Sequence, residues 1–138
     1  MQFNLDTDSS SYTIRGYRPG SITLTLPATR ASGEGPLALD EVAGSLIVSP
    51  FQLIRDWAPQ HIGELLAAHL EAIAALNPEV VLLGTGARLE FPTTEVLAVL
   101  YERQIGVEIM DTAAACRTYN ILMAEGRGVA AGLINPPV

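Results

Sequence analysis

One spacing in the second half of the chain restricts its fold more than any other feature. Residues 79–83, Glu-Val-Val-Leu-Leu, form a short apolar run rich in β-branched side chains and closed by Gly84, the composition of a buried strand. Thr93-Thr94-Glu95 then caps a helical stretch that runs to about Gln104. Gly106 breaks that helix, and residues 107–110 read as a second strand. A strand, a helix and a strand at this separation form a crossover unit, which requires the two strands to lie parallel with a right-handed connection. Asp111 caps a third helix that ends at Gly126, and residues 129–134 are the last strand, whose direction the pattern leaves open. Pro136-Pro137 closes the chain.

The first half carries the other period. Tyr12, Ile14 and Gly16 alternate with Thr13 and Arg15, Tyr17-Arg18-Pro19-Gly20 is a turn, and Ser21-Ile22-Thr23-Leu24-Thr25-Leu26 alternates strictly. Together they predict an antiparallel hairpin with one buried face, ended by Pro27. Residues 28–36 are small, polar and Gly-rich, the pattern of a mobile loop within one domain. Short extended pieces follow at 37–39 and 45–48. Ile62, Leu65, Leu66, His69, Leu70, Ile73 and Leu76 then make an apolar helical stripe, with Pro59 in its first turn and Asn77-Pro78 as its stop.

Composition bounds the rest. A length of 138 residues with 49% apolar side chains suits one core-forming domain, so residues 1–138 are expected to be a single α/β domain. The net charge is −7, and all eight basic residues are arginines without a basic stripe, which argues against nucleic acid and anionic membrane. The lone Cys116 allows no internal disulfide, as in a reducing compartment. The N-terminal residues lack the basic start and apolar run of a signal peptide, and no stretch approaches the roughly 18 apolar residues that span a bilayer. The expectation is a cytoplasmic chain with no membrane insertion.

Chemistry has one natural place. The strand at 79–83 runs into Gly84-Thr85-Gly86-Ala87-Arg88, and its parallel neighbour ends at Asp111-Thr112, so both lie on one edge of the sheet. Ligands of open α/β sheets bind beyond the carboxyl ends of the strands. One reading is a small cleft in which Thr85 and Arg88 face Asp111 and Thr112, with Asn120 on the third helix lining it or tying that helix to the loop. The other is that Gly84 and Gly86 only make a tight turn and Asp111 only caps a helix. The glycines match neither a dinucleotide fingerprint nor a phosphate-binding loop. Arg88 and the helix start could attract an anion, but Asp111 opposes one, and Arg88 is expected to pair with Asp111 instead. Cys116 reads as a small core residue, since no histidine lies near it in sequence. His61 and His69 lack the further ligands of a zinc site, so neither metal nor cofactor is expected, and no catalytic set is present.

The stretch from Val80 to the C-terminus resembles the domain-of-unknown-function 498 family, which includes a mitochondrial assembly factor for respiratory complex I. The resemblance rests on Gly84-Thr85-Gly86, Asp111-Thr112, Ala115, Tyr119-Asn120, Glu125-Gly126-Arg127 and Ala130-Ala131, in order. Looser matches lie at Tyr17, Gly20-Ser21, Ser49-Pro50 and Trp57. It implies a three-layer α/β fold with a central mixed sheet and an antiparallel hairpin region, and it implies no enzyme. The leading expectation is therefore a non-enzymatic protein-interaction or assembly factor with an unidentified protein partner, in relation to a respiratory complex. The alternative is a small-molecule or anion-binding protein, or an enzyme, that uses residues 84–88. A plain structural subunit of a homo-oligomer is the third, the oligomeric state being open.

Overall fold

A computed structural model describes residues 11–27 and 38–138. Strands β1 (Thr13–Arg18), β2 (Ser21–Thr25) and β3 (Leu39–Ala43) form a small antiparallel sheet in the order β1-β2-β3. Strands β4 (Leu46–Ser49), β5 (Gln52–Ile54), β6 (Val80–Gly84), β7 (Gly106–Met110) and β8 (Val129–Leu133) form a larger sheet in the order β5-β4-β8-β6-β7. The larger sheet is mixed: β4 is antiparallel to β5 and β8, whereas β8, β6 and β7 run parallel. The helices are α1 (Ala67–Ala74), α2 (Thr94–Glu102) and α3 (Thr112–Ala124).

The all-apolar run at β6 explains the layering. A strand next to the centre of a sheet that is buried at every position must be covered on both faces, because successive side chains point to opposite sides. Val80 and Leu82 pack with Ala115, Cys116, Tyr119 and Met123 of α3, together with Ile14, Ile22, Leu24 and Val42 of the small sheet. Val81 and Leu83 pack on the other face with Leu70 and Ile73 of α1, Leu97 and Leu100 of α2, and Trp57. The result is a three-layer α/β arrangement around a central mixed sheet, with the parallel β6–β7 pair joined through α2 and the hairpin β1–β2 in the first half. Gly132 on β8 lets Trp57 and Ile73 come close, since a Cβ there would lie 2.6 Å from Ile73 Cδ1 and 2.7 Å from a Trp57 ring carbon.

Two readings of the sequence need correction, and one strand carries no signal. The helix expected from Pro59 to Leu76 is broken into a single turn of 3₁₀ helix, Ile62–Glu64, and the eight residues of α1. Leu66 is extended at φ −118°, ψ 164°, and its N–H donates to His69 Nδ1 at 2.9 Å, so His69 caps α1 rather than extending a longer helix. Gly63 adds the poor helix propensity that makes a break there inexpensive. Leu65 is thereby turned into the core while Leu66 faces outward. Of the extended piece expected at 37–39, residue 37 lies outside the described residues and only Leu39 is in a strand, which runs on to Ala43 through Asp40 and Glu41, whose charges hide it in the sequence. Strand β5 had no periodic signal in three residues. The loop expected at 28–36 lies outside the described residues. The last strand, β8, runs parallel to β6.

Candidate functional site

The carboxyl ends of β6, β7 and β8 meet at Thr112, the first residue of α3. Its hydroxyl donates to Ile134 O at 2.7 Å and accepts from Gly86 N–H at 2.8 Å, and its own N–H donates to Gly86 O at 2.9 Å. Gly84 is required for this approach, because a Cβ there would sit 2.9 Å from Thr112 Oγ1 and 3.0 Å from its Cα. Thr85 continues the pattern: its N–H donates to Met110 O, its hydroxyl donates to Arg88 O at 2.6 Å, and it accepts from Glu90 N–H at 3.2 Å. Asp111 is the N-cap of α3, accepting from Ala114 N–H at 2.8 Å through its carboxylate.

The structure therefore brings Gly84, Thr85, Gly86, Asp111 and Thr112 together, but as a closed hydrogen-bonded joint. Two of the predicted contacts differ. Arg88 does not pair with Asp111; its side chain is 84% exposed and Nη2 lies 3.9 Å from Glu90 Oε2. Asp111 is already engaged in capping, so the nearer carboxylate on the same loop holds the arginine. Asn120 does not touch residues 84–88. Its amide spans the backbone of Ile14, accepting from Ile14 N–H at 2.9 Å and donating to Ile14 O at 2.7 Å. A carboxamide presents the same donor and acceptor as a neighbouring strand, which is why it can occupy the outer edge of β1. Tyr119 supports it, its hydroxyl donating to Tyr12 O at 2.9 Å.

The α3 N-terminus is correspondingly occupied, with the N–H groups of Thr112 and Ala114 bonded to Gly86 O and the Asp111 carboxylate. A cavity of about 220 Å³ does open behind the loop, lined by Gln60, His61, Thr85, Arg88 and Pro136 among others. It is smaller than the roughly 300–1,000 Å³ of ordinary small-molecule sites. Gln60 Oε1 in its wall has no hydrogen-bond partner among the described residues. A second cavity of about 340 Å³ lies at the opposite end of the sheet, where Phe51, Leu76 and Met123 converge. Arg127 at its rim is paired with Glu79 at 3.4 Å. Among the described residues no group of three or more His, Cys, Asp or Glu side chains could hold a metal ion.

Sequence reasoning missed the most conspicuous surface of the loop. Leu89 is 51% exposed and Phe91 69% exposed, on a segment whose backbone Thr85 folds back. The signal was present as two large apolar residues that fit neither helical nor strand period, between a strand and a capped helix. Cys116 is buried in the α3 face of the core, and that burial pushes its thiol from the ordinary 9.0 up to about 12, against a smaller opposite pull from Arg117.

The fold and this joint define a class, a three-layer α/β domain whose parallel strand ends are closed by a helix-capping Asp-Thr pair. The model of the family described as "Protein of unknown function (DUF498/DUF598)" matches residues 14–134, and the chain belongs to that family. It is 41% identical over 98 residues to NADH dehydrogenase (ubiquinone) 1 alpha subcomplex assembly factor 3 of Danio rerio, covering 70% of this chain and 56% of that protein. It is 36% identical over 73 residues to the 13 kDa major membrane protein of Francisella tularensis subsp. holarctica, covering 53% of this chain and 59% of that one. The chain thus spans somewhat more than half the length of these relatives. A crystal structure of a Bordetella parapertussis protein superposes with a TM-score of 0.76 at 33% identity, over 91% of this chain and 97% of that one. Among the described residues no helix is long and apolar enough to cross a membrane.

Two substitutions test these assignments. Asn120→Ala strips partners from both backbone groups of the buried Ile14 and is expected to lower the unfolding free energy by about 1–3 kcal/mol. An unchanged denaturation midpoint would show that the amide clamp is dispensable. For Cys116 the folded-state value is raised, so its contribution is complete below pH 9.0 and is lost as pH rises toward 12. Stability should fall across that window, by up to about 1.4 kcal/mol per pH unit for one thiol, and fall less steeply in Cys116→Ala. Parallel curves for the two proteins would contradict the assignment.

Proposed function

We propose that this chain is a non-enzymatic protein-interaction domain that acts as an assembly factor, and by extension from its relatives one that serves a respiratory complex. Residues 1–138 work as one domain, in the cytoplasm. The observation that carries this reading is the loop at 88–91. Its backbone is tied at Arg88 O and Glu90 N–H by the Thr85 hydroxyl, and the turn that leads into it is tied at Gly86 by Thr112, while Leu89, Phe91 and the Arg88 side chain stand in solvent. Large apolar residues on a fixed backbone, with an arginine beside them, match the composition of protein-binding surfaces, where ordering costs are already met in the free state. The 220 Å³ cavity behind the loop suits one anchoring side chain of a partner. The occupied donors at the α3 start do not favour an anion there.

Purification of the tagged chain from the cells that make it tests the proposal. A protein partner is expected to remain bound in stoichiometric amount, and Leu89→Asp combined with Phe91→Asp should release it by at least about tenfold in affinity with the melting temperature unchanged. Retention of the partner by that double variant would contradict the loop's role. Elution of the wild type alone, with micromolar binding of phosphate or a nucleotide that Arg88→Ala abolishes, would contradict the function itself.

A further inference from the structure

Among the described residues the two sheets have four outer strands, and three of them are blunted against pairing. Strand β1 is occupied by the Asn120 amide at Ile14, and the Tyr119 hydroxyl takes the carbonyl of Tyr12 just before it. Strand β3 carries Asp40 and Glu41, ion-paired with Arg55 and with Arg18, the latter at 3.2 Å. Strand β5 is three residues long. Charges, short length and covering groups are the ordinary means of protecting an edge. Strand β7 has none of them beyond a single charge, Glu108, in five residues without proline.

The direction of the free hydrogen-bonding groups on β7 follows from its parallel pairing. Gly106 N–H donates to Glu79 O, and Met110 O accepts from Thr85 N–H, so residues 106, 108 and 110 turn their backbone groups toward β6. Val107 and Ile109 therefore point theirs outward, and among the described residues neither has a backbone partner. Their side chains are packed against the α1–α2 face of the core, which holds the strand in place. Two donors and two acceptors are thus presented at fixed spacing on an exposed edge, and Met110 at its end is tied to the loop that carries Leu89 and Phe91.

We infer that the outer edge of β7 accepts an extended strand of a partner protein, with a basic residue of that strand opposite Glu108. The charge at position 108 decides against a second copy of this chain. Antiparallel self-pairing that overlaps the whole strand sets residue 107 against 109 and 108 against itself, in the close non-hydrogen-bonded pair. Like charges directly opposed there are destabilising, and each copy also carries a net charge of −7. A strand with apolar residues opposite Val107 and Ile109 and a Lys or Arg between them meets the edge at every position. This inference deepens the protein-binding reading and rests on it, with main-chain hydrogen bonds giving affinity and Glu108 giving selectivity.

The test is a titration of the isotope-labelled protein with the peptide Ac-Thr-Thr-Val-Lys-Val-Thr-Thr-NH2 and with its counterpart that has Glu in place of Lys. Amide resonances and hydrogen exchange are read residue by residue. In the free protein the amides of Val107 and Ile109 should exchange quickly while that of Glu108 is protected. The Lys peptide should shift and protect Val107 and Ile109 and bind on the order of fivefold more tightly than the Glu peptide. Glu108→Arg should reverse that order, and Ile109→Pro should abolish binding, since the N–H it removes is not used by β6. Equal affinity for the two peptides, or shifts confined elsewhere, would overturn the inference. Protection of Val107 and Ile109 in the free protein would also overturn it, a rise with protein concentration then identifying a second copy as the occupant. If these tests fail while the Leu89 and Phe91 substitutions still release the partner, strand addition falls and the protein-binding reading stands.

Discussion

The hydroxyl of Thr112 is the interaction on which the arrangement at the carboxyl edge depends. It stands where two parallel strand ends, the chain after β8 and the start of α3 converge, and it satisfies a donor from Gly86 and an acceptor from Ile134 at once. Both groups are buried, so each would otherwise carry the cost of an unpaired polar group out of water. The contact also needs Gly84, whose missing side chain lets α3 begin against β6. A Gly-Thr-Gly turn and an Asp-Thr cap are therefore one device seen from two places in the sequence. Asp111 fixes the start of the helix, Thr112 ties it to the turn, and Thr85 folds the following residues back over the joint.

That device has a consequence for function. The edge of a parallel sheet is the usual place for a ligand cleft, but here the donors at the helix start are used by the fold itself. What remains exposed is the outside of the joint, with Arg88, Leu89 and Phe91 on a segment that Thr85 ties at Arg88 O and Glu90 N–H. Cys116, with its thiol held protonated in the core, and Tyr119, bonded to the backbone of Tyr12, serve packing and clamping.

Much of this was legible in the sequence for local reasons. The parallel β6–β7 pair follows from two apolar runs separated by a capped helix. Thr93 and Asp111 both cap as their residue types suggest, and the β1–β2 hairpin follows from strict alternation about Pro19-Gly20. The failures are tertiary. The stripe from Ile62 to Leu76 has helical period throughout, yet His69 captures the Leu66 N–H and the helix starts late. Asn120 stands out in the sequence as a mid-helix amide that needs a partner, but nothing in the spacing says that the partner is Ile14, on a strand 106 residues away. Asn135 makes the same kind of long tie, accepting from Gly20 N–H and donating to Arg18 O, and left no sequence signal at all.

The Thr112 hydroxyl closes this edge and fixes the turn at Gly86 that leads into residues 88–91. Hydrogen exchange and denaturation of Thr112→Val and Thr112→Ser test it most directly. The valine keeps the shape and loses both bonds, whereas the serine keeps the hydroxyl. Valine is expected to lower stability by about 1–3 kcal/mol and to speed exchange at Gly86 and through residues 84–92, while serine largely preserves both. A valine variant as stable as the wild type, with an equally protected Gly86 amide, would contradict it.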